Sequence, residues 1–292
     1  MALGCVCLFW GTTYLGIRVG LESFTPAMLM CLRYLVSGIL MLIGARVAGA
    51  HFPRAGELWR TALYGVITIG MGTGSLALAE QWIPSGLAAL IVSTQPFWMV
   101  GVDALTPGGE RLQWSAVRGM LVGLAGVAFL IAPAAFASAT DSQALLQGFV
   151  ALQIGAAMWS AGSIAQRRLA TRAHPIVSGA VQQFATGLAF VIPALLQSRA
   201  AVWDAKGIAA VLYLAVFGGI VGYSSFIFAM DRLPVALVSI YTYINPIVAV
   251  LLGWLFYREA FGWREAVAML IIFAGVAMVK RSSRAMESVP VE

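Results

Sequence analysis

The sequence predicts an all-α integral membrane protein whose ten transmembrane helices form two inverted five-helix repeats. Three observations support this prediction. First, 61% of the 292 residues are hydrophobic and only 10% are charged, whereas a soluble domain has about 25% charged residues. Second, the apolar residues form ten runs of membrane-spanning length, since ~20 helical residues cross the ~30 Å core of a bilayer. Third, the pattern of the first five runs recurs in the last five.

The ten predicted helices are separated at prolines and polar stretches, where a helix ends readily. They cover residues 2–20, 26–46, 60–81, 84–105, 114–133, 145–166, 175–197, 207–230, 234–257 and 263–281. The Ser/Ala/Thr-rich stretch 134–144 is predicted to be a loop that links a first repeat at 1–133 to a second at 145–281. Residues 282–292 would form a cytoplasmic tail, and no loop is long enough for a soluble domain.

The basic residues predict the orientation in the membrane. Of the 18 Lys and Arg residues, 12 would lie on the side of the two termini and 4 on the other, while Arg18 and Arg33 lie within predicted helices. The positive-inside rule therefore places both termini in the cytoplasm. Because the basic residues lie in short loops, the pI near 9.5 indicates topology and gives no reason to expect a nucleic-acid partner.

An offset of 149 residues relates the two halves, except between Pro84/Pro234 and Pro96/Pro246, where one inserted residue makes it 150. It pairs Trp10 with Trp159, Arg18 with Arg167, Pro26 with Pro175, Glu110 with Glu259, Trp114 with Trp263 and Gly126 with Gly275. Each half has five helices, an odd number, so the second half enters the membrane from the opposite side. The halves are thus predicted to be related by a pseudo-two-fold axis in the membrane plane.

Two prolines lie at the centres of corresponding apolar runs, Pro96 in the fourth and Pro246 in the ninth. Pro246 cannot donate to the carbonyl of Thr242, so that carbonyl needs another partner inside the membrane. Each proline follows a side-chain amide, Gln95 or Asn245. Each proline alone could simply kink a packed helix, but interrupted helices at corresponding positions of two halves are typical of a transporter's binding site. We therefore predict helix breaks and a site at this level.

Polar and aromatic side chains near these prolines form the predicted substrate-binding set. Its members are Trp10, Thr13, Ser75, Thr94, Gln95, Trp98, Trp159, Ser163, Tyr223, Tyr241, Thr242, Tyr243 and Asn245. Polar groups deep in a membrane usually mark function, although packing alone could explain any single aromatic residue. The set is uncharged, which suits a zwitterion with an apolar or aromatic side chain better than a phosphate.

Two arginines within helices, Arg18 and Arg33, are predicted to form a charged rim of the site. They could attract a substrate carboxylate, or they could be structural, with Arg18 paired to Glu22 four residues later. The acidic residues lie near helix ends or in loops, with Glu80 about one turn from the end of the third helix. Obligatory proton antiport of cationic drugs is therefore disfavoured, and small-residue segments at 70–75 and 218–225 are the predicted hinges.

No motif predicts an enzyme. The chain has no HExxH, no GxSxG and no phosphate-binding loop with a lysine. The three cysteines, Cys5, Cys7 and Cys31, lie in apolar runs without metal-ligand spacing. We expect no catalytic residue, no metal and no cofactor.

The sequence resembles the EamA-type repeats of the drug/metabolite transporter superfamily. In the first half the resemblance is carried by Trp10-Gly11, Arg18, Pro26, Leu32-Arg33-Tyr34, Pro96, Glu110 and Gly126-Val127; in the second it is carried by Trp159, Pro175, Asn245-Pro246, Glu259 and Gly275-Val276. The second half departs from the pattern at Gln182 and Ser160, which stand where the first half has Arg33 and Gly11. The chain is most similar to the ten-helix amino-acid exporters of the YddG type.

The resemblance implies a central cavity surrounded by helices three, four, eight and nine with parts of one and six, while helices five and ten brace the halves. It implies a multi-pass transporter of the bacterial inner membrane that exports amino acids by alternating access. With the residues above, we expect aromatic, hydrophobic and threonine-like substrates, facilitated transport and a monomer. The alternatives are a multidrug or metabolite exporter of the same fold, with or without proton coupling, and an intramembrane enzyme, which is disfavoured.

Overall fold

The computed structural model describes residues 1–52, 55–109, 112–135, 139–168, 174–232, 241–259 and 261–287. All regular secondary structure in these ranges is helical. Eight of the helices there are long and apolar enough to cross a membrane, and the apolar helix Tyr241–Tyr257 is shorter. The chain is therefore a multi-pass membrane protein. The count of ten spans and the inverted arrangement stay predictions.

We number the helices in chain order and join segments separated only by a change of helix type or by one or two residues. They are α1 (Ala2–Gly20), α2 (Pro26–Val47), α3 (Ala55–Ala79), α4 (Ser85–Leu105), α5 (Trp114–Ala135), α6 (Ala139–Arg168), α7 (Pro175–Leu196), α8 (Ala205–Tyr213, Leu214–Gly222 and Tyr223–Arg232), α9 (Tyr241–Tyr257) and α10 (Trp263–Glu287).

Some predicted boundaries differ from these. The loop predicted at 134–144 is shorter, because α5 continues to Ala135 and α6 already begins at Ala139. The tail predicted at 282–292 starts as helix, since α10 continues to Glu287 through Arg, Ala, Met and Glu, which favour helix without needing an apolar environment. The first part of the ninth predicted helix lies outside the described residues.

Capping side chains and prolines determine where several helices begin. Thr25 precedes Pro26, and its hydroxyl accepts a hydrogen bond from Met28 N at 3.3 Å. Asp204 precedes α8 and accepts one from Gly207 N at 2.7 Å. These side chains satisfy backbone donors that have no partner in the first helical turn, and proline at the first position loses no hydrogen bond there.

The two central prolines have different effects on their helices. Before Pro96, α4 is interrupted between Val92 and Gln95, and the Ser93 and Thr94 hydroxyls donate to the carbonyls of Leu90 at 2.6 Å and Ile91 at 2.7 Å. The Thr94 backbone nitrogen also donates to the Ile91 carbonyl at 3.1 Å, so hydroxyl and backbone donors together satisfy carbonyls at the interruption inside the membrane.

Pro246, in contrast, lies inside the continuous helix Tyr241–Tyr257. The prediction of a helix break at Pro246 was therefore wrong for the described part of α9. The neighbouring Asn245 amide, described below, donates to the carbonyls of Tyr241 and Cys7.

Two helices contain wide π-helical turns, α3 at Val66–Met71 and α8 at Leu214–Gly222. These turns overlap the segments 70–75 and 218–225 that the sequence predicted as hinges. A π turn is rare and is often found at functional sites.

The helices pack mainly across the two halves of the chain. Helix α2 packs on α7, α1 on α8 and α9, α6 on α3 and α4, and α5 on α10. The α2–α7 contact is close: a Cβ added at Gly38 would lie 2.5 Å from the backbone nitrogen of Phe184, and one at Gly187 would lie 2.6 Å from that of Leu35. These glycines are 149 residues apart, so small residues occupy corresponding positions on both helices.

Polar contacts connect the halves at the end of the bundle opposite Met1, which we call the distal end. Glu22, after α1, forms an ion pair with Lys206 and accepts a hydrogen bond from Tyr257. The Ser23 hydroxyl donates to Asp204 at 2.8 Å. These contacts hold the start of α8 and the end of α9 against the α1–α2 loop.

A carboxylate from the second half also caps α4 at the distal end. Glu259 accepts hydrogen bonds from the Ser85 backbone nitrogen at 2.9 Å, the Ser85 hydroxyl at 2.8 Å and the Gly86 backbone nitrogen at 2.9 Å. A negative charge at a helix N-terminus is favourable because the first N–H groups have no partner within the helix. Glu259 thus fixes the distal end of α4 to the segment that follows α9.

Acid is expected to weaken the distal end through Asp204. Hydrogen bonds from Gly207 N and the Ser23 hydroxyl hold the pKa of Asp204 below its usual value. Its contribution to stability is therefore complete above the unfolded-state pKa of about 4 and is lost as pH falls through the lower folded-state value. Thermal unfolding of the purified protein should show a fall in stability between about pH 5 and pH 3.

The matched variant is Asp204→Asn, because asparagine keeps the capping acceptor but has no charge to titrate. We expect Asp204→Asn to lose less stability than the wild type over the same pH range. Equal losses in the two proteins would show that Asp204 is not the group responsible.

Candidate substrate-binding site

A cavity of about 160 Å³ lies at the centre of the bundle. Described residues of eight helices surround it, and those of α5 and α10 do not. Helices α2 and α7, which the resemblance did not place at the cavity, contribute through Arg33, Tyr34 and Gln183. Within the described ranges, no group of three or more His, Cys, Asp or Glu side chains could hold a metal ion.

The structure brings together eight of the thirteen residues predicted to bind substrate. The cavity is lined by Trp10, Thr13, Gln95, Trp159, Tyr223, Tyr241, Thr242 and Asn245. Pro246 also lines the cavity, while Pro96 does not. These residues lie in α1, α4, α6, α8 and α9, and their binding of substrate stays a prediction.

Five predicted residues lie elsewhere. Trp98 faces outward, where its Nε1 donates to Gln153 at 2.8 Å. Tyr243 packs edge-on against Phe273 of α10 at 5.2 Å, and Ser163 is half-buried away from the cavity. Each of these three residues lies at the predicted position along its own helix, but on a face of that helix that does not line the cavity.

The other two, Ser75 and Thr94, have structural contacts. Ser75 packs where α3 meets α6, since a Cβ added at Gly155 would lie 2.8 Å from the Ser75 Cβ. The Thr94 hydroxyl is buried and donates to the carbonyl of Ile91. Ser75 therefore packs between α3 and α6, and Thr94 forms a hydrogen bond at the interruption of α4.

Trp10 anchors an aromatic wall of the cavity. Its Nε1 donates to the Gly218 carbonyl in the π turn of α8 at 3.2 Å. Its ring lies 5.1 Å from Phe226 and 5.3 Å, edge-on, from Tyr241. Because the polar end of Trp10 is satisfied by backbone, its ring is held in a fixed position as an apolar surface.

Asn245 connects the cavity wall of α9 to α1. In the amide orientation that satisfies its hydrogen bonds, the nitrogen donates to the carbonyls of Cys7 at 3.0 Å and Tyr241 at 3.2 Å. The side chain is buried. Asn245 thus holds two helices together beside Pro246 and leaves its amide oxygen as an acceptor.

Arg33 lies in the cavity wall rather than at a rim. Its side chain is only 4% exposed, and its guanidinium lies 4.6 Å from the Tyr34 ring. Within the described part of the chain, Nε and Nη1 of Arg33 have no hydrogen-bond partner. An added Cβ at Gly218 would lie 3.1 Å from Nη2 and 2.9 Å from the Thr13 methyl group, so Arg33 borders the cavity beside Thr13.

Arg18 does not line the cavity, so the prediction of a rim charge is wrong for this residue. Its Nη1 donates to the Glu80 backbone carbonyl at 2.6 Å, and its guanidinium lies 6.0 Å from the Tyr257 ring. The predicted alternative, an ion pair with Glu22, is not what the described residues show, since Glu22 pairs with Lys206. Arg18 therefore has a structural position near the distal end.

Sequence reasoning missed Tyr34 and Gln183 in the cavity wall. Tyr34 and Gln183 occupy corresponding positions of the two halves, 149 residues apart. Each directly follows a position at which the halves differ, with Arg33 in the first half and Gln182 in the second. The Gln183 amide accepts from Ser37 at 2.6 Å and donates to the Gly219 carbonyl at 3.3 Å. Its polarity at the centre of a membrane helix was the signal that could have identified it.

A membrane-spanning helical bundle with a cavity lined from both halves defines a transporter, and comparisons with known proteins agree. The model of the EamA-like transporter family matches residues 1–132 and 146–281. The chain belongs to this family, whose members are transporters and not enzymes.

Several relatives are similar over nearly their whole length. "Uncharacterized inner membrane transporter YedA" of Escherichia coli is 32% identical over 95% of this chain and 89% of its own. "Probable terminal-alkyne amino-acid exporter" of Streptantibioticus cattleyicolor is 26% identical over 96% and 92%. A solved crystal structure with 25% identity has a TM-score of 0.68 and covers 98% of both chains. These likenesses support the membrane fold.

Proposed function

We propose that this transporter exports amino acids across the bacterial inner membrane by alternating access. Its substrates would have aromatic, hydrophobic or threonine-like side chains, and they would move down their own gradients. The observation that carries the proposal is the composition of the cavity. Aromatic rings, hydroxyls and three side-chain amides line it together with a single described cationic side chain, that of Arg33.

A zwitterion matches these groups. A carboxylate fits the planar donor fork of Arg33, and an ammonium group is attracted by aromatic faces and by acceptors such as the Asn245 oxygen. The ring of Trp10 provides a fixed apolar surface for a side chain. Two opposite charges on one small molecule therefore each find a complementary group in the cavity.

The charge of the cavity disfavours the multidrug alternative. A buried arginine in the wall repels a cationic dye. The relative from Streptantibioticus cattleyicolor, which is named as an amino-acid exporter, supports the choice of substrate class.

Helix packing supports two inverted repeats in one chain. Contacts come in pairs related by exchange of the halves: α1 meets α8 and α9, as α6 meets α3 and α4. The halves are thus complementary to each other, which favours a monomer. The distribution of Lys and Arg supports cytoplasmic termini.

The proposed function predicts counterflow in proteoliposomes without an ion gradient. Vesicles loaded with unlabelled tryptophan should transiently accumulate labelled tryptophan, and phenylalanine and threonine should compete. Asn245→Ala should reduce the initial rate roughly tenfold, because it removes the amide that joins α9 to α1 and the acceptor oxygen proposed for the ammonium group.

The matched control is Gln153→Ala, which removes an amide outside the cavity and should leave counterflow unchanged. Accumulation of labelled tryptophan only under an imposed pH gradient would indicate proton coupling instead of facilitated transport. Competition by ethidium but by none of the amino acids would favour a multidrug exporter and overturn the proposal.

A further inference from the structure

Two ionisable side chains of opposite type are buried near the cavity, and each has buried atoms without a hydrogen-bond partner in the described part of the chain. Arg33 is 4% exposed and Glu80 is fully buried at the end of α3. Within the described ranges, Nε and Nη1 of Arg33 and both carboxylate oxygens of Glu80 have no hydrogen-bond partner. Buried charges are normally paired, because removal from water is unfavourable for each of them.

Arg33 lies in the lining of the cavity, and Glu80 lies behind that lining. Arg33 borders the cavity beside Thr13 and Gly218. Tyr14, the next residue of α1, lines the cavity and interacts electrostatically with Glu80. Glu80 does not line the cavity, but it lies within electrostatic reach of Glu259, Arg18 and, more weakly, Arg33. The carboxylate therefore lies behind the lining, within the field of the arginine.

The other charges near Glu80 are already engaged. Arg18 donates to the backbone carbonyl of Glu80 at 2.6 Å and lies near Tyr257. Glu259 accepts three hydrogen bonds from the N-terminus of α4. The groups that still need a partner among the described residues are thus Arg33 and Glu80 themselves.

We propose that Glu80 is a built-in counterion that competes with the carboxylate of the substrate for Arg33. This inference rests on the proposed function for its substrate. When substrate is bound, its carboxylate neutralises Arg33. When substrate has left, Glu80 pairs with Arg33. The empty carrier can then switch between its inward-facing and outward-facing states without an uncompensated buried charge.

Exchange and net efflux should depend differently on Glu80. In exchange, the carrier changes access only with substrate bound, so Glu80 is not needed as a partner for Arg33. In net efflux, the empty carrier must return, and the Arg33–Glu80 pair makes this return possible. Loss of the Glu80 charge also removes a competitor and should increase the affinity for carboxylate substrates.

The test compares net efflux with counterflow of labelled tryptophan in proteoliposomes that contain Glu80→Gln, a nearly isosteric variant. We expect the ratio of net efflux to counterflow to fall roughly tenfold and the apparent affinity for tryptophan to rise. Arg18→Gln is the matched control, because it changes the other nearby arginine, and it should leave the ratio unchanged.

Two results would overturn the proposal. An unchanged ratio in Glu80→Gln would show that the empty carrier does not use this carboxylate. A reduced ratio in Arg18→Gln equal to that of Glu80→Gln would assign the pairing to Arg18 instead of Arg33.

A thermal-stability cycle tests the pair without any substrate, so its result does not depend on the proposed function. Arg33→Gln and Glu80→Gln should each lower Tm, and the double variant should be more stable than the sum of the two losses predicts. Strict additivity would overturn the pair even if amino-acid transport is confirmed. Absence of tryptophan counterflow in the wild type, with a non-additive cycle, would reject only the proposed substrate.

Discussion

Arg33→Gln is expected to weaken the binding of carboxylate substrates between about tenfold and a hundredfold. Arg33 lies in the cavity wall and is almost fully buried, so its hydrogen bonds to a carboxylate would be shielded from water. Loss of charged hydrogen bonds of this kind weakens binding by about 1.5–3 kcal/mol. The measurement is the KM for tryptophan in counterflow, together with inhibition by tryptamine, which has no carboxylate.

The wild type should prefer tryptophan strongly over tryptamine, and Arg33→Gln should lose most of this preference. Arg33→Lys, which keeps the charge but not the planar fork, should give an intermediate KM. Arg18→Gln is the control at a partly buried arginine that does not line the cavity, and it should keep the wild-type preference. A preference for tryptophan that survives in Arg33→Gln would place the carboxylate elsewhere.

Gly38→Ala is expected to have the largest effect on stability among conservative changes in α2. The new Cβ would lie 2.5 Å from the backbone nitrogen of Phe184 and 2.6 Å from its Cα. Backbone atoms cannot rotate away as a side chain can, so α2 and α7 must separate. Overpacking of this kind costs about 1–3 kcal/mol. Thermal unfolding in detergent measures the effect.

Gly44→Ala is the matched control on the same helix, because no atom lies within 4 Å of its added Cβ. It should leave Tm unchanged or raise it slightly, since alanine favours helix. Similar losses of Tm in both variants would mean that the close contact between α2 and α7 is not what Gly38 provides.

Depth in the membrane could be predicted from the sequence, but the direction in which a side chain points could not. Trp10, Trp159 and Tyr241 were predicted near the site and line it. Trp98 lies at a similar depth but faces outward, and Tyr243 faces α10. A residue's place along an apolar run sets its depth. Which face meets the cavity depends on how eight helices pack around one another.

The two proline motifs show a second limit of sequence reasoning. Both have an amide before the proline, yet α4 is interrupted at Pro96 while α9 continues through Pro246. The two sites also differ in their hydrogen-bond partners. Hydroxyls donate to carbonyls within α4, whereas the Asn245 amide also donates to the Cys7 carbonyl of α1. That second partner is supplied by another helix and is not visible in the motif.

The π turns of α3 and α8 have a consequence for how the cavity could change shape. Each wide turn holds extra backbone relative to an α turn, so a change of hydrogen-bond partner can tighten it without breaking the helix. Every residue beyond it would then advance like a screw, by about 100° and ~1.5 Å for each residue taken up. In α8 such a step would carry Tyr223 around the helix axis and free the Gly218 carbonyl from Trp10. Substrate access could thus be altered by a rotation of the part of α8 that follows the π turn, while the part before the turn remains in place.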